Sequence, residues 1–331
     1  MIRRRAYCVA LATSAALGAP FGVSAQPGRL RHIGFIVPRL SSTDPTRAAG
    51  VAAFHRAMQE FGYRVGRDYR FDERSVEGRN ERYDEVAAQL VANRVDLILV
   101  PGTSGAQAAQ RATATIPIVF LSISDPVGTA LVTSLARPGG NLTGRSSITA
   151  ELDPKRLELL REAVPGLTSV AVLMLAGSTL HEAALADLQA AGRGYGIRVL
   201  PARVDSVAAV DTALARIRSQ RVGGMLVFDQ AAIISASERI VGFALAERLP
   251  TMFQASRWVR LGGLMSYGPN AVDDMQHVAT YVAKIFKGAS PGELPVEQPT
   301  KFELVINLKS GRTMGLAIPQ SLLLRADEVI E

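Results

Sequence analysis

Thr103 and Ser104 stand between two glycines in "VDLILVPGTSGAQAAQ" (95–110), where a β-branched apolar run turns at once into an alanine-rich helix. The first turn of a helix offers unpaired backbone N–H groups and a partial positive charge, so this turn is suited to an anion. The stretch has no lysine of the phosphate-loop kind, which leaves open which anion it would hold. Three other predicted strand ends are polar: Arg39 to Asp44, including Ser41 and Ser42; Ser122 to Pro126, including Ser124 and Asp125; and Asp229-Gln230. Helix capping explains each of them taken singly. Together they form a polar rim, because ligands of an open parallel sheet bind beyond the carboxyl ends of its strands.

Hydroxyls and backbone N–H groups at 103, 104 and 124 can hold a carboxylate without a formal cation, while Asp229 can pair with an ammonium. Phe35, Phe228, Tyr267 and Trp258 fall near predicted strand ends or loops. They can form an apolar wall or simply pack in the core. The usual marks of catalysis are missing from the sequence. His32, His55, His181 and His277 are far apart, none in a paired metal-ligand spacing, and each reads as a surface or helix-face residue. There is no H-E-x-x-H and no G-x-x-x-x-G-K-[ST]. The serine of "PGTSGA" is followed directly by glycine and so lacks the nucleophile-elbow spacing. The glycines of "RPGGNLTG" do not follow a strand and do not fit a dinucleotide fingerprint. Neither a cofactor nor a metal is expected, and the reading is of a protein that is not an enzyme.

The elements that must position these groups alternate. "LRHIGFIVP", "YRFDERSV", "VDLILV" and "IPIVFLS" read as strands separated by amphipathic helices, and a second series begins after "ELDPKRLELLREAVPGL". Continuous β-branched runs between helices indicate parallel strands buried on both faces. Two successive arrays predict two similar α/β lobes, with a hinge-like crossing in the Gly/Ser/Thr/Asn-rich segment "PGGNLTGRSSI" (138–148). The helix "AVDDMQHVATYVAKIFKG" and the strand "KFELVINL" cannot form a domain alone and are expected to complete the two lobes. The expected division is 28–145 with about 270–290 in one lobe, and 146–268 with about 300–331 in the other.

The opening "MIRRRAYCVALATSAALGAPFGVSAQ" has three arginines, a short apolar run broken by Gly18 and Pro20, and Val23-Ser24-Ala25 before Gln26. This is the pattern of a secretory signal peptide spanning 1–25, and the run is too short to cross a membrane. Its removal takes away Cys8, the single cysteine, and excludes disulfide and thiol chemistry from the mature chain. It also lowers the net charge from +7 to +4 by removing Arg3, Arg4 and Arg5. The remaining basic residues are mixed with acidic ones, as in Glu81-Arg82-Tyr83-Asp84-Glu85, which gives no stripe for nucleic acid.

At these residues a resemblance enters. "IPIVFLSISDPVG", "LARPGGNLTG", "GGLMSYGPN" and "LPVEQPTKFELVINLK" resemble the ABC-transporter substrate-binding proteins of the tryptophan/tyrosine-type group, over essentially the whole mature chain. The resemblance implies a type I periplasmic-binding-protein fold: two Rossmann-like lobes, three crossings and a hinged cleft that closes on a solute. It implies a periplasmic monomer that hands a small molecule to an inner-membrane permease with a cytoplasmic ATPase. By position, the family's cleft loops fall on Ser41-Ser42, Thr103-Ser104, Ser124-Asp125, Ser146-Ser147, Asp229 and Tyr267. Ala176-Gly177 departs from the Asn-Pro-containing turn of many relatives. An aromatic amino acid is one candidate solute, and a sensory module for a membrane receptor is the alternative role. A cytoplasmic repressor core of the same fold is disfavoured by the leader and by the lack of a helix-turn-helix.

Overall fold

The computed structural model describes residues 29–38, 45–147 and 150–331. Residues 1–28, where a signal peptide is expected, and the Ser41-Ser42 pair lie outside the described residues.

Apolar strands and amphipathic helices alternate through the first lobe. β1 (Arg31–Val37), α1 (Pro45–Glu60), β2 (Tyr69–Ser75), α2 (Arg82–Ala92), β3 (Leu97–Pro101), α3 (Thr103–Ala112), β4 (Ile118–Ile123) and β5 (Leu142–Ser146) build a parallel sheet of order β2-β1-β3-β4-β5. Its central strands β1, β3 and β4 are largely apolar on both faces because both faces are covered. Ile98, Val100, Ile118 and Phe120 pack with Leu90 and Ala106 on one side, while Leu97, Leu99 and Val119 pack with Phe54 and Met58 on the other. Each side chain so buried contributes roughly 1.5–3 kcal/mol.

The second lobe repeats the arrangement with α4 (Asp153–Ala163), β6 (Ser169–Leu175), α5 (Thr179–Tyr195), β7 (Arg198–Val204), α6 (Val210–Gln220) and β8 (Gly224–Val227). It continues through α7 (Ala231–Ser235), α8 (Ser237–Ala246), β9 (Thr251–Phe253), α9 (Ser256–Arg260) and β10 (Met265–Pro269). α10 (Ala271–Phe286) then returns to the first lobe and lies along α1, with Met275, Val278 and Val282 in its core. β11 (Phe302–Asn307), α11 (Leu308–Met314), α12 (Gln320–Leu323) and β12 (Glu328–Ile330) finish the second lobe, whose sheet runs β12-β11-β10-β9-β8-β6-β7.

Two features add to the sequence reading. Within the crossing segment 138–148, Leu142–Ser146 forms β5, with every residue buried. β11 pairs antiparallel with β10, while every other strand pair of the two sheets is parallel. The chain re-enters the second lobe from α10, and that approach reverses the strand direction.

The lobes also touch across the mouth between them. Arg260 Nε donates to Thr46 Oγ1 at 3.0 Å and Ser235 Oγ donates to Gly78 O at 3.0 Å. Arg260 is itself oriented by a bidentate pair with Glu328, at 2.6 and 2.7 Å.

Candidate functional site

The carboxyl ends of β1, β3 and β4 face those of β6, β8 and β9 across a cleft of about 1470 Å³. On the first-lobe side, β3 turns into α3 through Gly102, whose φ of +75° suits a residue without a side chain. No side chain caps α3, so Thr103 and Ser104 present their hydroxyls beside first-turn N–H groups at the cleft wall. Gly105 follows for a packing reason. A Cβ there would lie 2.5 Å from Val100 Cγ2 and 2.9 Å from Tyr83 Cε1. Beside this turn Ser124 Oγ and Ser147 Oγ are 3.2 Å apart, joining the ends of β4 and β5 at the cleft.

On the second-lobe side Asp229 is already held. Trp258 Nε1 donates to its Oδ1 at 2.7 Å, Arg257 pairs with its Oδ2, and its backbone N–H donates to Gln254 Oε1 at 2.8 Å. Trp258 is fully buried and stacks on Phe253 at 4.8 Å, so it braces Asp229 from beneath and forms no wall. Replacing Trp258 with Phe keeps the stack and removes the indole donor to a charged acceptor. A stability loss of about 2 kcal/mol is expected. Because Trp258 is the only tryptophan, urea unfolding is followed by circular dichroism, and an unchanged midpoint would refute the brace.

Four cleft residues carry signals that the sequence reading missed. Asp153, at the start of α4, is 1% exposed; Arg156 Nη1 donates to its Oδ1 at 2.5 Å and Gln254 Nε2 at 3.3 Å. Burial pushes its carboxyl up to about 6, against the opposing pull of Arg156. His181, read as a surface or helix-face residue, is buried in the first turn of α5 and lies edge-on to Phe228 at 5.1 Å. Its Nδ1 accepts the Leu175 N–H at 3.0 Å, and burial pushes its pKa down to about 4. The ring is therefore neutral near pH 7 and keeps its proton on Nε2. Arg47 and Arg257 bring cations to a cleft expected to work without them. Each is paired with a carboxylate, Glu73 and Asp229 respectively.

Thr103, Ser104, Ser124, Ser147 and Asp229 are thus brought together on one cleft, with Phe35 and Phe228 at its walls. Asp125, Ser146 and Tyr267 are not. Asp125 is exposed and its Oδ1 accepts the Gly128 N–H at 2.7 Å, closing a turn. Ser146 is buried against the Glu297 carbonyl at 3.4 Å. Tyr267 packs on Phe302, its ring centroid 6.2 Å away, beside a separate depression of about 570 Å³ lined by Asn270, Glu303 and Asp327. Pro269 at the end of β10 lines the cleft, while Tyr267 sits earlier on the strand, in register with Leu304 of β11. Gly177, in the departing Ala176-Gly177 turn, does line the cleft, with φ +73°.

Two Rossmann-like lobes with a strand-end cleft between them define a type I periplasmic-binding-protein architecture. The sequence agrees: residues 41–330 match the family described as ABC transporter substrate binding protein, and the chain belongs to it. It is therefore a substrate-binding protein and not an enzyme. A tyrosine-binding protein of Clostridioides difficile is 24% identical over 254 residues, covering 77% of this chain and 73% of that protein. Among solved structures, a conserved domain protein of Vibrio cholerae is 27% identical, with a TM-score of 0.79 over 91% of this chain and 99% of that one. An ABC domain of Streptococcus pneumoniae in complex with L-Trp is 25% identical, with a TM-score of 0.79 over 91% of this chain and all of that one. No helix among the described residues is long and apolar enough to cross a membrane.

Proposed function

We propose that this chain is the exported, periplasmic solute receptor of an ABC importer. It acts as a monomer that binds a small carboxylate-bearing solute between its lobes and delivers it to an inner-membrane permease driven by a cytoplasmic ATPase. The solute class is an amino acid, with an aromatic side chain as the leading candidate, in line with relatives named for tyrosine binding and solved with L-Trp. The observation that carries this reading is the uncapped start of α3, with Thr103 and Ser104, opposite the Asp229–Gln254 wall inside one cleft. The N–H groups and hydroxyls of the one face suit a carboxylate. Phe35, Phe228 and Leu121 supply apolar contact for the remainder.

The lobes move about the crossings, and the solute favours the closed form through contacts made only there. The bonds from Arg260 to Thr46 and from Ser235 to Gly78 bridge the lobes at the mouth of the cleft. A thermal-shift screen of the mature protein against amino acids and organic acids identifies the solute by mass action. The double variant Thr103→Ala/Ser104→Ala then tests the site. Loss of two hydroxyl donors to a carboxylate lowers affinity at least tenfold, about 1.4 kcal/mol, with the melting temperature of the free protein unchanged. Undiminished affinity in calorimetry would sink the assignment.

A further inference from the structure

His181 is 7% exposed, and what remains open of it lines the cleft. Its Nδ1 accepts the Leu175 N–H at 3.0 Å, and its backbone N–H donates to Ser178 Oγ, the cap of α5, at 3.3 Å. A ring whose Nδ1 is an acceptor carries its proton on Nε2. That N–H donates to no group among the described residues, and Nε2 is not one of the polar atoms sealed in the interior. The two carboxylates whose charge reaches the ring are already engaged. Asp229 holds Trp258 and Arg257, and Glu182 holds Arg203 through both oxygens at 2.7 Å. The cleft residues around the ring, Leu175, Ala184 and Phe228, are apolar.

While the cleft is wet, water satisfies this donor. When the lobes close on a solute and expel that water, an unpaired N–H costs its full desolvation unless the solute brings an acceptor. Burial pushes the imidazole pKa down to about 4, so the group donates without a charge and asks for a neutral oxygen, not a second anion.

We propose that His181 is a specificity-determining residue whose Nε2–H selects solutes bearing a neutral acceptor oxygen (phenol, alcohol or amide) at the end away from the carboxylate, over solutes that end in hydrocarbon or in a donor-only ring such as indole. This rests on the reading of the cleft as a carboxylate-solute site, and adds what the opposite wall requires of the rest of the molecule. Two helix starts then read the two ends differently. α3 is uncapped and leaves first-turn N–H groups for the anion beside Thr103 and Ser104. α5 is capped by Ser178, so its first turn offers the neutral imidazole instead.

The experiment is isothermal calorimetry on the full mature protein with matched pairs: L-tyrosine and L-phenylalanine, 3-(4-hydroxyphenyl)propionate and 3-phenylpropionate, L-threonine and L-2-aminobutyrate, L-asparagine and L-leucine, with L-tryptophan as the donor-only probe. In at least one pair the wild type is expected to bind the acceptor-bearing member at least tenfold more tightly than its partner. His181→Phe keeps a ring against Phe228 and removes the donor. It is expected to bring that pair within threefold, by weakening the acceptor-bearing member. The proposal is overturned by a wild type that binds both members of every pair alike, favours the hydrocarbon members, or binds L-tryptophan more tightly than every acceptor-bearing probe. A His181→Phe protein that keeps the tenfold ratio overturns it too, and each of these results leaves the carboxylate-solute reading standing. A wild type that binds none of these probes, and no carboxylate in the thermal-shift screen, overturns both. The wild-type ratios need no variant, so a His181→Phe protein weakened by loss of the Leu175 bond does not shelter the proposal.

Discussion

Arg156→Met is expected to lower the unfolding free energy by about 3–5 kcal/mol at pH 8, the cost of removing one partner of a buried ion pair. The Arg156 side chain is 1% exposed; its Nη1 holds Asp153 at 2.5 Å, and its Nε donates to the Tyr267 carbonyl at 2.7 Å. Methionine fills much of the volume and leaves the Asp153 carboxylate facing Gln254 and the like charge of Asp229. The loss should depend on pH, with a sign that follows from the burial of Asp153. In the native protein its carboxyl is pushed up from 3.8 to about 6, so the folded state holds a proton that the unfolded state has released. Its contribution to stability is complete below about 3.8 and is lost as pH rises through about 6. Without Arg156 the carboxyl rises further, and the lost stability extends to higher pH. Urea unfolding at pH 5 and pH 8 is the measurement: a deficit distinctly smaller at pH 5 is expected, and an equal deficit at both would show that Asp153 is not the group left uncompensated.

The Arg156–Asp153 pair also marks where the sequence stopped being informative. Thr103 and Ser104 were legible because a buried strand, a glycine and a helix start occur in one short stretch, and the local pattern alone places them at a cleft edge. Asp153 was not legible. "DPKRL" reads as an ordinary helix start, and its meaning depends on Gln254, 101 residues away. His181 likewise sits in a helix first turn, a surface position by default, and only Phe228 packed against the ring makes it buried and neutral. Asp229 was found, but its partners come from α9, beyond two intervening helices and a strand, so its saturation by Arg257 and Trp258 was invisible. Tyr267 was misplaced because it lies inside β10 and packs on Phe302 of β11, a strand added only after the chain returns from the first lobe, which no local periodicity announces.

Gly144→Ala tests the strand that leads into the crossing. Within the Gly/Ser/Thr/Asn-rich segment, Leu142–Ser146 is the buried edge strand β5, and its glycine permits close contact with β4. Gly144 has φ +151°, and a Cβ built on it would lie 2.0 Å from Phe120 O and 2.7 Å from Phe120 N. These are backbone atoms of the neighbouring strand, with no rotamer to yield, so the two strands must separate where the register already shifts between Phe120 and Ile123. The expected cost is about 3–5 kcal/mol, the range of the severe single substitutions. That corresponds to a melting temperature lower by about 10 °C. The effect should reach the solute too. β5 carries Thr143, whose hydroxyl donates to Leu294 O at 2.7 Å beside the returning chain, and leads directly to Ser147 at the cleft. Displacing β5 pulls Ser147 away from Ser124, so residual folded protein should bind the screened solute more weakly than wild type at a temperature where both are folded. A Gly144→Ala protein melting within 2 °C of wild type would mean that β5 adjusts freely, as a linker would, and that its close approach to β4 is not required.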